Sequence, residues 1–339
     1  MKRKIGVFIG RFQPFHNGHL DMVKRILERV NRLVIVVGSS NSASSTKNPL
    51  CPYRRKTLIA DPLRLSLGDK TFFNRVSLTS VADQPNDKVW VSAVDRAVRE
   101  VITGIHDLES FDITLFGHNK DTSSYYLNLF PEWGLELLES SSGISATQIR
   151  EAYYRKTLES IAGDVPYPVE WLDFNPELQE EYEYLEDYKK LWRDTPYPVN
   201  FVTSDAVVIC NGHVLLIQRG ASPGKGLLAL PGGFVNTNET TKAASLRELA
   251  EETGLGVSGC MEMSHHVFDN PGRSLRGRVI THAYHYNIYG VGQQLPLVKA
   301  GDDASKAMWV PVREALRSPD KFHDDHFDIL CHFVLTQGL

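Results

Sequence analysis

The chain opens with a short apolar run, Ile5 to Ile9, then an amphipathic stretch from about Gly18 to Val30, then a second apolar run, Leu33 to Val37. Short apolar runs separated by one helical period read as a strand, a helix and a strand. The pattern continues with strands expected at Val76 to Val81, Ile113 to Phe116 and Leu135 to Leu138, and helices at Trp90 to Ile102 and Ser145 to Tyr154. Such alternation predicts an α/β unit, a parallel sheet with flanking helices. From Ala206 the pattern changes. Ala206 to Cys210 and Val214 to Ile217 flank Asn211-Gly212, which predicts a hairpin with a tight turn. A long helical pattern, Thr240 to Thr253, and further strand-like runs make the second part mixed α/β.

Between the two parts, Pro-Tyr-Pro segments at Pro166 to Pro168 and Pro196 to Pro198 bracket an acidic, tyrosine-rich helical stretch, Pro176 to Trp192. Proline brackets suit a semi-rigid connector. The expected organisation is therefore residues 1–165, a connector 166–198, and residues 199–339. A chain of 339 residues is long enough for two cores. A formal charge of −4 leaves no global basic field, so nucleic acid is not an expected partner. Arg11 cuts the first apolar run short, and no later run reaches membrane-span length, so no membrane association is expected. Four widely spaced cysteines fit neither a disulfide framework nor a CxxC site, which places the chain in a reducing cytoplasm. Oligomeric state is left open, a homo-oligomer included.

The most specific chemistry lies between Gly233 and Leu255. Gly233 is followed after five residues by Glu239, after seven more by Arg247-Glu248-Leu249, and then by Glu251-Glu252 and Gly254-Leu255. On a helix, Glu248, Glu251 and Glu252 stand at i, i+3 and i+4 and share one face. Three crowded carboxylates repel unless a cation sits among them, and hard oxygen ligands select Mg²⁺ or Mn²⁺. Ala243, Leu246 and Ala250 are expected to form the apolar seat opposite. Gly254 follows the helix end, where a left-handed residue is favoured. Arg247 is expected to orient a glutamate, and Pro231-Gly232-Gly233 to bring backbone carbonyls near the metal. An acidic surface helix is the ordinary fate of a lone Glu-Glu pair; the complete pattern argues otherwise.

This segment resembles the Nudix hydrolases, from about Val199 to Leu339. The resemblance implies metal-dependent cleavage of a diphosphate, with Glu248, Glu251 and Glu252 as metal ligands and Gly233, Glu239 and Arg247 in support. It leaves the general base unassigned. Asp269 to Arg278 and Thr281-His282-Ala283 are similar to a segment of ADP-ribose pyrophosphatases, implying that Arg273, Arg276 and Arg278 meet the diphosphate or terminal ribose.

Directly after the first strand comes Gly10-Arg11-Phe12-Gln13-Pro14-Phe15-His16-Asn17-Gly18-His19. Backbone amides at a helix start, with two imidazoles three residues apart, make a cradle for nucleotide phosphates. This resembles the HxGH nucleotidyltransferases, and Ile144 to Arg150 is similar to their second signature. The resemblance implies that His16, His19 and Arg150 stabilise attack on the α-phosphate of ATP. Gly10, Arg11, Phe12, Gln13, Ser145 and Thr147 would line the nucleotide site. Ser145-x-x-Gln148 also reads as a capping box. The closer similarity is to archaeal-type nicotinamide mononucleotide (NMN) adenylyltransferases. It implies that Trp90 stacks on nicotinamide, that Asn86 or Asp87 reads the carboxamide, that Arg55 or its neighbour Arg54 reaches phosphate, and that Gly117 and Asp121 border the ligand.

Together the fold implied is a Rossmann-like nucleotidyltransferase domain with a parallel sheet, followed by a mixed α/β Nudix domain. In this order the two halves are similar to bifunctional bacterial enzymes of NAD metabolism. The implied reactions join NMN and ATP into NAD and pyrophosphate and hydrolyse ADP-ribose to AMP and ribose 5-phosphate. Two other readings stay open: the same reaction types on a different mononucleotide, NADH, a dinucleoside polyphosphate or a nucleoside triphosphate; or a regulator that senses ADP-ribose. The intact carboxylate set speaks against the regulator.

Overall fold

The computed structural model describes residues 3–84, 86–104, 111–118, 122–139, 143–256, 260–288, 294–301 and 304–337. The chain divides into two compact units, Met1–Pro176 and Glu177–Leu339. Among the described residues no helix is long and apolar enough to cross a membrane.

The first unit contains β1 (Arg3–Gly10), α1 (Asn17–Leu27), β2 (Arg32–Val37), α2 (Pro52–Leu67), α3 (Asp69–Arg75), β3 (Val76–Ser80), α4 (Asp87–Thr103), β4 (Phe111–Gly117), β5 (Gly134–Leu137) and α5 (Ala146–Tyr154). Its strands are all parallel, in the order β3-β2-β1-β4-β5. The chain steps outward from β1 to β3 and then returns to the other side of β1. The crevice beyond the carboxyl ends of β1 and β4 is therefore where this topology admits a ligand. Helices cover both faces of the sheet, so β1 is apolar on both. Phe8 packs with Met22 and Ile26 of α1, while Ile5, Val7 and Ile9 pack with Val94, Val98 and Ile102 of α4.

The expected strands are present, and two helix details differ. α1 stops at Leu27 instead of Val30, and the Leu27 and Val30 carbonyls at and beyond its end accept from Arg75. Helices α2 and α3 were not legible: Leu58, Ile59 and Leu63 are interspersed with arginines, and Pro62 lies inside α2.

The second unit contains α6 (Glu177–Arg193), β6 (Asn200–Cys210), β7 (His213–Arg219), β8 (Leu228–Ala229), β9 (Gly232–Phe234), α7 (Thr241–Thr253), β10 (Cys260–Phe268), β11 (Arg278–Ile288), β12 (Ala304–Pro311), α8 (Val312–Ala315) and α9 (His326–Gln337). The sheet order is β10-β11-β6-β7-β12, with β8 on β7 and β9 on β6. β11 and β6 run parallel and the other pairs antiparallel. Asn211 and Gly212 turn the β6–β7 hairpin with φ of 48° and 72°, the left-handed pair that a type I′ turn needs. α7 packs with Ala206, Val208 and Tyr286 on one face, and α9 with Val207, Ile209 and Leu216 on the other.

Two expectations are corrected here. The connector 166–198 does not form as a separate piece. Residues 166–176 fold onto the first unit, where Phe174 is buried against Tyr153 and Tyr154. α6 belongs to the second unit, burying Leu178 and Leu185, with Glu181 accepting from the Gly224 amide at 2.9 Å. The apolar seat of α7 is also not Ala243 and Ala250, which are exposed, with Leu246 only half-buried. Ala244, Ser245, Leu249 and Thr253 face the sheet. Small hydroxyl side chains are seated there because tyrosine hydroxyls meet them: Ser245 and Tyr286 lie 2.7 Å apart, as do Thr241 and Tyr284.

Candidate active sites

In the second unit, Thr240 caps α7 by accepting from the Ala243 amide at 3.2 Å, and Gly254 ends it in the left-handed conformation, φ 64°. The helix carries Arg247, Glu248, Glu251 and Glu252. Arg247 is the hub: it donates to Glu239 at 2.7 Å, to Glu248 and Glu251 at 2.8 Å, and to the Phe234 carbonyl at 3.1 Å. That hydrogen bond from Arg247, followed by the Asn236 amide, pulls Glu239 down to about 2. One guanidinium thus bridges three carboxylates and offsets part of their mutual repulsion.

Glu252 is placed differently. It is buried and accepts from the Gly232 amide at 2.9 Å. Burial pushes its pKa up to about 8, the amide opposing and Glu248 adding to the rise. Burial also raises Glu248. At Gly233 a Cβ would meet the Glu248 carboxyl group at 2.5–2.9 Å, so a side chain there would displace the carboxylate that Arg247 holds. At Gly232 a Cβ would lie 2.2 Å from Asp205 Oδ1. Among the described residues no three side chains already stand at metal-binding spacing, because Arg247 holds Glu248 and Glu251. Its guanidinium stands in for a cation among hard oxygen donors, and the Glu252 carboxyl group beside them adds another oxygen donor, so the donor set fits a hard divalent ion.

Asp205 was not anticipated. It lies buried on β6, accepts from Thr281 at 2.7 Å, and is raised to about 6 by burial, with Arg273 opposing. Its only signal was an acid at the head of an apolar strand. The three downstream arginines separate. Arg273 is buried in a two-pronged ion pair with Asp325, at 2.7 and 2.8 Å, so it ties the 269–278 loop to the start of α9. The guanidinium expected at the diphosphate is paired with Asp325 here. Arg276 lies over the Phe234 ring at 5.2 Å, and Arg278 donates to the Asp269 carbonyl.

In the first unit, β1 ends at Gly10 and the chain turns through buried Phe12, φ 50°. His16 is the N-cap of α1 and His19 its third residue; their ring centroids are 3.8 Å apart. His19 Nδ1 accepts from the His16 amide at 3.3 Å, which leaves the neutral ring's proton on Nε2. Ser145 and Gln148 form the capping box of α5. The helix brings Arg150 to this turn, donating to the Gln13 carbonyl at 2.6 Å and to Thr147 at 3.1 Å. Burial, then the nearby Arg11 charge, lowers Arg150 to about 10. Two guanidiniums that disfavour one another form a place for an anion.

Two expected ligand residues also hold the surrounding backbone together. Arg55 is fully buried and donates to the carbonyls of Arg11, Gly38 and Ser39 at 2.6–3.0 Å, clasping the loops after β1 and β2 together. Burial lowers it to about 10. The Gln13 amide exchanges two hydrogen bonds with the Leu50 backbone, at 2.9 and 3.0 Å. Both side chains are spent on shaping the site. Gly10 lies against the Phe12 ring and Gly117 beneath Leu127, while Arg11 and Thr147 are exposed. Asn86 caps α4, Asp87 accepts from Tyr125 at 3.0 Å, and half-buried Trp90 packs edgewise on Tyr126 and Phe130. Asp121 lies outside the described residues.

Comparison with known proteins follows the same division. A cytidylyltransferase-like family pattern matches residues 7–152 and a NUDIX domain pattern residues 200–333. A nicotinamide/nicotinic acid mononucleotide adenylyltransferase of Acinetobacter baylyi is 40% identical over 157 residues, 45% of this chain and 78% of that one. An ADP-ribose pyrophosphatase of Methanocaldococcus jannaschii is 40% identical over 106 residues, 31% of this chain and 59% of that one. The crystal structure of a bifunctional NMN adenylyltransferase/ADP ribose pyrophosphatase from Francisella tularensis superposes with a TM-score of 0.84 at 32% identity, covering 99% of both chains. A second structure from that organism, complexed with AMP and a manganese ion, matches equally well.

Proposed function

This chain belongs to the family of bifunctional NMN adenylyltransferase/ADP-ribose pyrophosphatases, and on that premise we propose which residues carry each of its two reactions. It is an enzyme of NAD metabolism: one activity transfers the adenylyl group of ATP to NMN, and the other hydrolyses ADP-ribose to AMP and ribose 5-phosphate. The observation that carries the division of labour is that each unit assembles one complete set of charged groups from its own elements.

For adenylyl transfer, the amides at the start of α1 and the imidazoles of His16 and His19 receive the phosphates of ATP. Arg150, fixed by the Gln13 carbonyl, adds charge where the leaving pyrophosphate gains it. Catalysis is positioning and charge stabilisation without a covalent intermediate. Trp90 and Asn86 or Asp87 take the nicotinamide end.

For hydrolysis, Glu248, Glu251 and Glu252 hold the divalent cation on which Nudix hydrolases depend, and Mg²⁺ or Mn²⁺ serves. Bound there, the ion neutralises the diphosphate and lowers the pKa of a water. Arg247 orients the glutamates and Gly233 leaves room for Glu248. Arg276 is the downstream arginine best placed for the substrate, beside Phe234.

A panel tests the substrates: with Mg²⁺ or with Mn²⁺, ADP-ribose is expected among the best cleaved of ADP-ribose, NADH, dinucleoside polyphosphates and nucleoside triphosphates. A preference for another class would sink the assignment.

The raised Glu252 sets a pH dependence. An unfolded glutamate loses its proton near pH 4.5 and the folded one near 8. Between these values the folded state binds more protons, so metal-free stability falls as pH rises. A cation competes with that proton. Mn²⁺ affinity, measured by electron paramagnetic resonance, is expected to rise by close to a factor of about ten per pH unit between roughly pH 6 and 7.5. A flat profile would contradict the role of Glu252.

A further inference from the structure

The segment after α5, of which residues from 166 onward were read as a connector, runs across the start of α1 within the first unit. Residues Leu158–Asp164 and Val169–Trp171 form two 3₁₀ turns, and three hydrogen bonds tie this strap down. The Tyr167 hydroxyl donates to the Phe15 carbonyl at 2.6 Å; Asn17 donates to the Gly163 carbonyl at 2.7 Å; Arg54 donates to the Trp171 carbonyl at 2.8 Å. The first two bracket His16 on either side. Tyr167 is 7% exposed and Phe15 fully buried, so no water replaces the Tyr167 donor if it is lost.

The far end of the strap returns to the other catalytic element. Phe174 is buried on Tyr153, ring centroids 4.1 Å apart, and its amide donates to the Tyr153 hydroxyl at 3.3 Å. Tyr153 is one helical turn from Arg150 on α5. The strap therefore closes a loop between the helix that carries Arg150 and the turn that carries His16.

We propose that Tyr167 is a positioning residue for adenylyl transfer: its hydroxyl fixes the Phe15 carbonyl, and with it the placement of His16 relative to Arg150. It touches neither ATP nor NMN and acts through the His16 turn. The inference rests on the role given to His16 above. A displaced turn costs the transition state more than ground-state binding, because the charge around the α-phosphate of the transferring adenylyl group peaks there.

The experiment uses the full chain. Tyr167→Phe keeps the ring and removes one oxygen. Expected are a kcat for adenylyl transfer lower by about tenfold, KM for ATP and NMN each within about twofold, and unchanged ADP-ribose hydrolysis. The histidine ring resonances of His16 and His19, followed by NMR, are expected to move. A kcat within twofold of the parent would overturn the proposal. So would a loss of kcat accompanied by a matching drop in the folded fraction of the first unit, followed by circular dichroism at the assay temperature. His16→Ala is run beside it: if that variant keeps its activity, the reading of the site has failed; if it loses activity while Tyr167→Phe does not, only the positioning role has.

Discussion

Glu252→Gln is expected to lower ADP-ribose hydrolysis by roughly a thousandfold while leaving adenylyl transfer within about twofold of the parent. The glutamine carbonyl can still accept from the Gly232 amide, so the backbone before Gly233 keeps its place. What disappears is the negative charge that a divalent cation recruits. Because the buried carboxyl group is largely protonated at neutral pH without metal, a neutral amide mimics its resting state. In a chelator, thermal unfolding of the second unit should therefore be unchanged or slightly later. With Mn²⁺ present the parent should gain stability and the variant much less. Hydrolysis surviving the substitution would show that Glu252 is not a metal ligand.

His16→Ala is expected to do the converse, with kcat for NAD formation falling on the order of a thousandfold and hydrolysis intact. His16 is also the N-cap of α1, so its replacement bears on the helix start as well as on the chemistry. His16→Asn separates the two effects, since asparagine caps well but has no imidazole. It should lose as much activity as alanine with less loss of stability. Rate assays of both reactions on all three variants settle whether the sites are independent: loss of both activities in a folded variant would refute it.

Much of the chemistry was legible because it depends on spacing along one element. Three glutamates at i, i+3 and i+4 share a face of any helix, and Gly254 marked where that helix ends. The HxGH histidines were equally local, a strand end running directly into a helix start. Which glutamate is buried was not local: Glu252 meets the Gly232 amide while Glu251 is exposed, a difference set by β9 lying against one edge of α7.

Three of the expected site residues have partners that no local pattern shows. Arg55, Gln13 and Arg273 were assigned to ligands because polar side chains near a site motif are available to a ligand unless something else claims them. The claimants lie far away in sequence: the Gly38 and Ser39 carbonyls, Leu50, and Asp325. A buried guanidinium or amide must satisfy its donors, and only the folded chain shows with whom. The proline-bracketed stretch failed for the complementary reason. Its prolines suggested a separate connector, while buried aromatics, Tyr167 and Phe174, hold residues 166–176 on the first unit, and Leu178 and Leu185 bury α6 in the second.

By itself, then, the sequence determined the two-part α/β organisation, the reaction class of each part and the residues of its signatures, because periodicity and short motifs are properties of neighbours along the chain. Only the tertiary structure decided that the units divide at Pro176 and Glu177, that Arg247 gathers Glu239, Glu248 and Glu251, that Asp205 lies behind Gly232, and that Tyr167 braces the His16 turn. Each of these depends on burial and on hydrogen-bond partners brought together from distant segments, which no local pattern encodes.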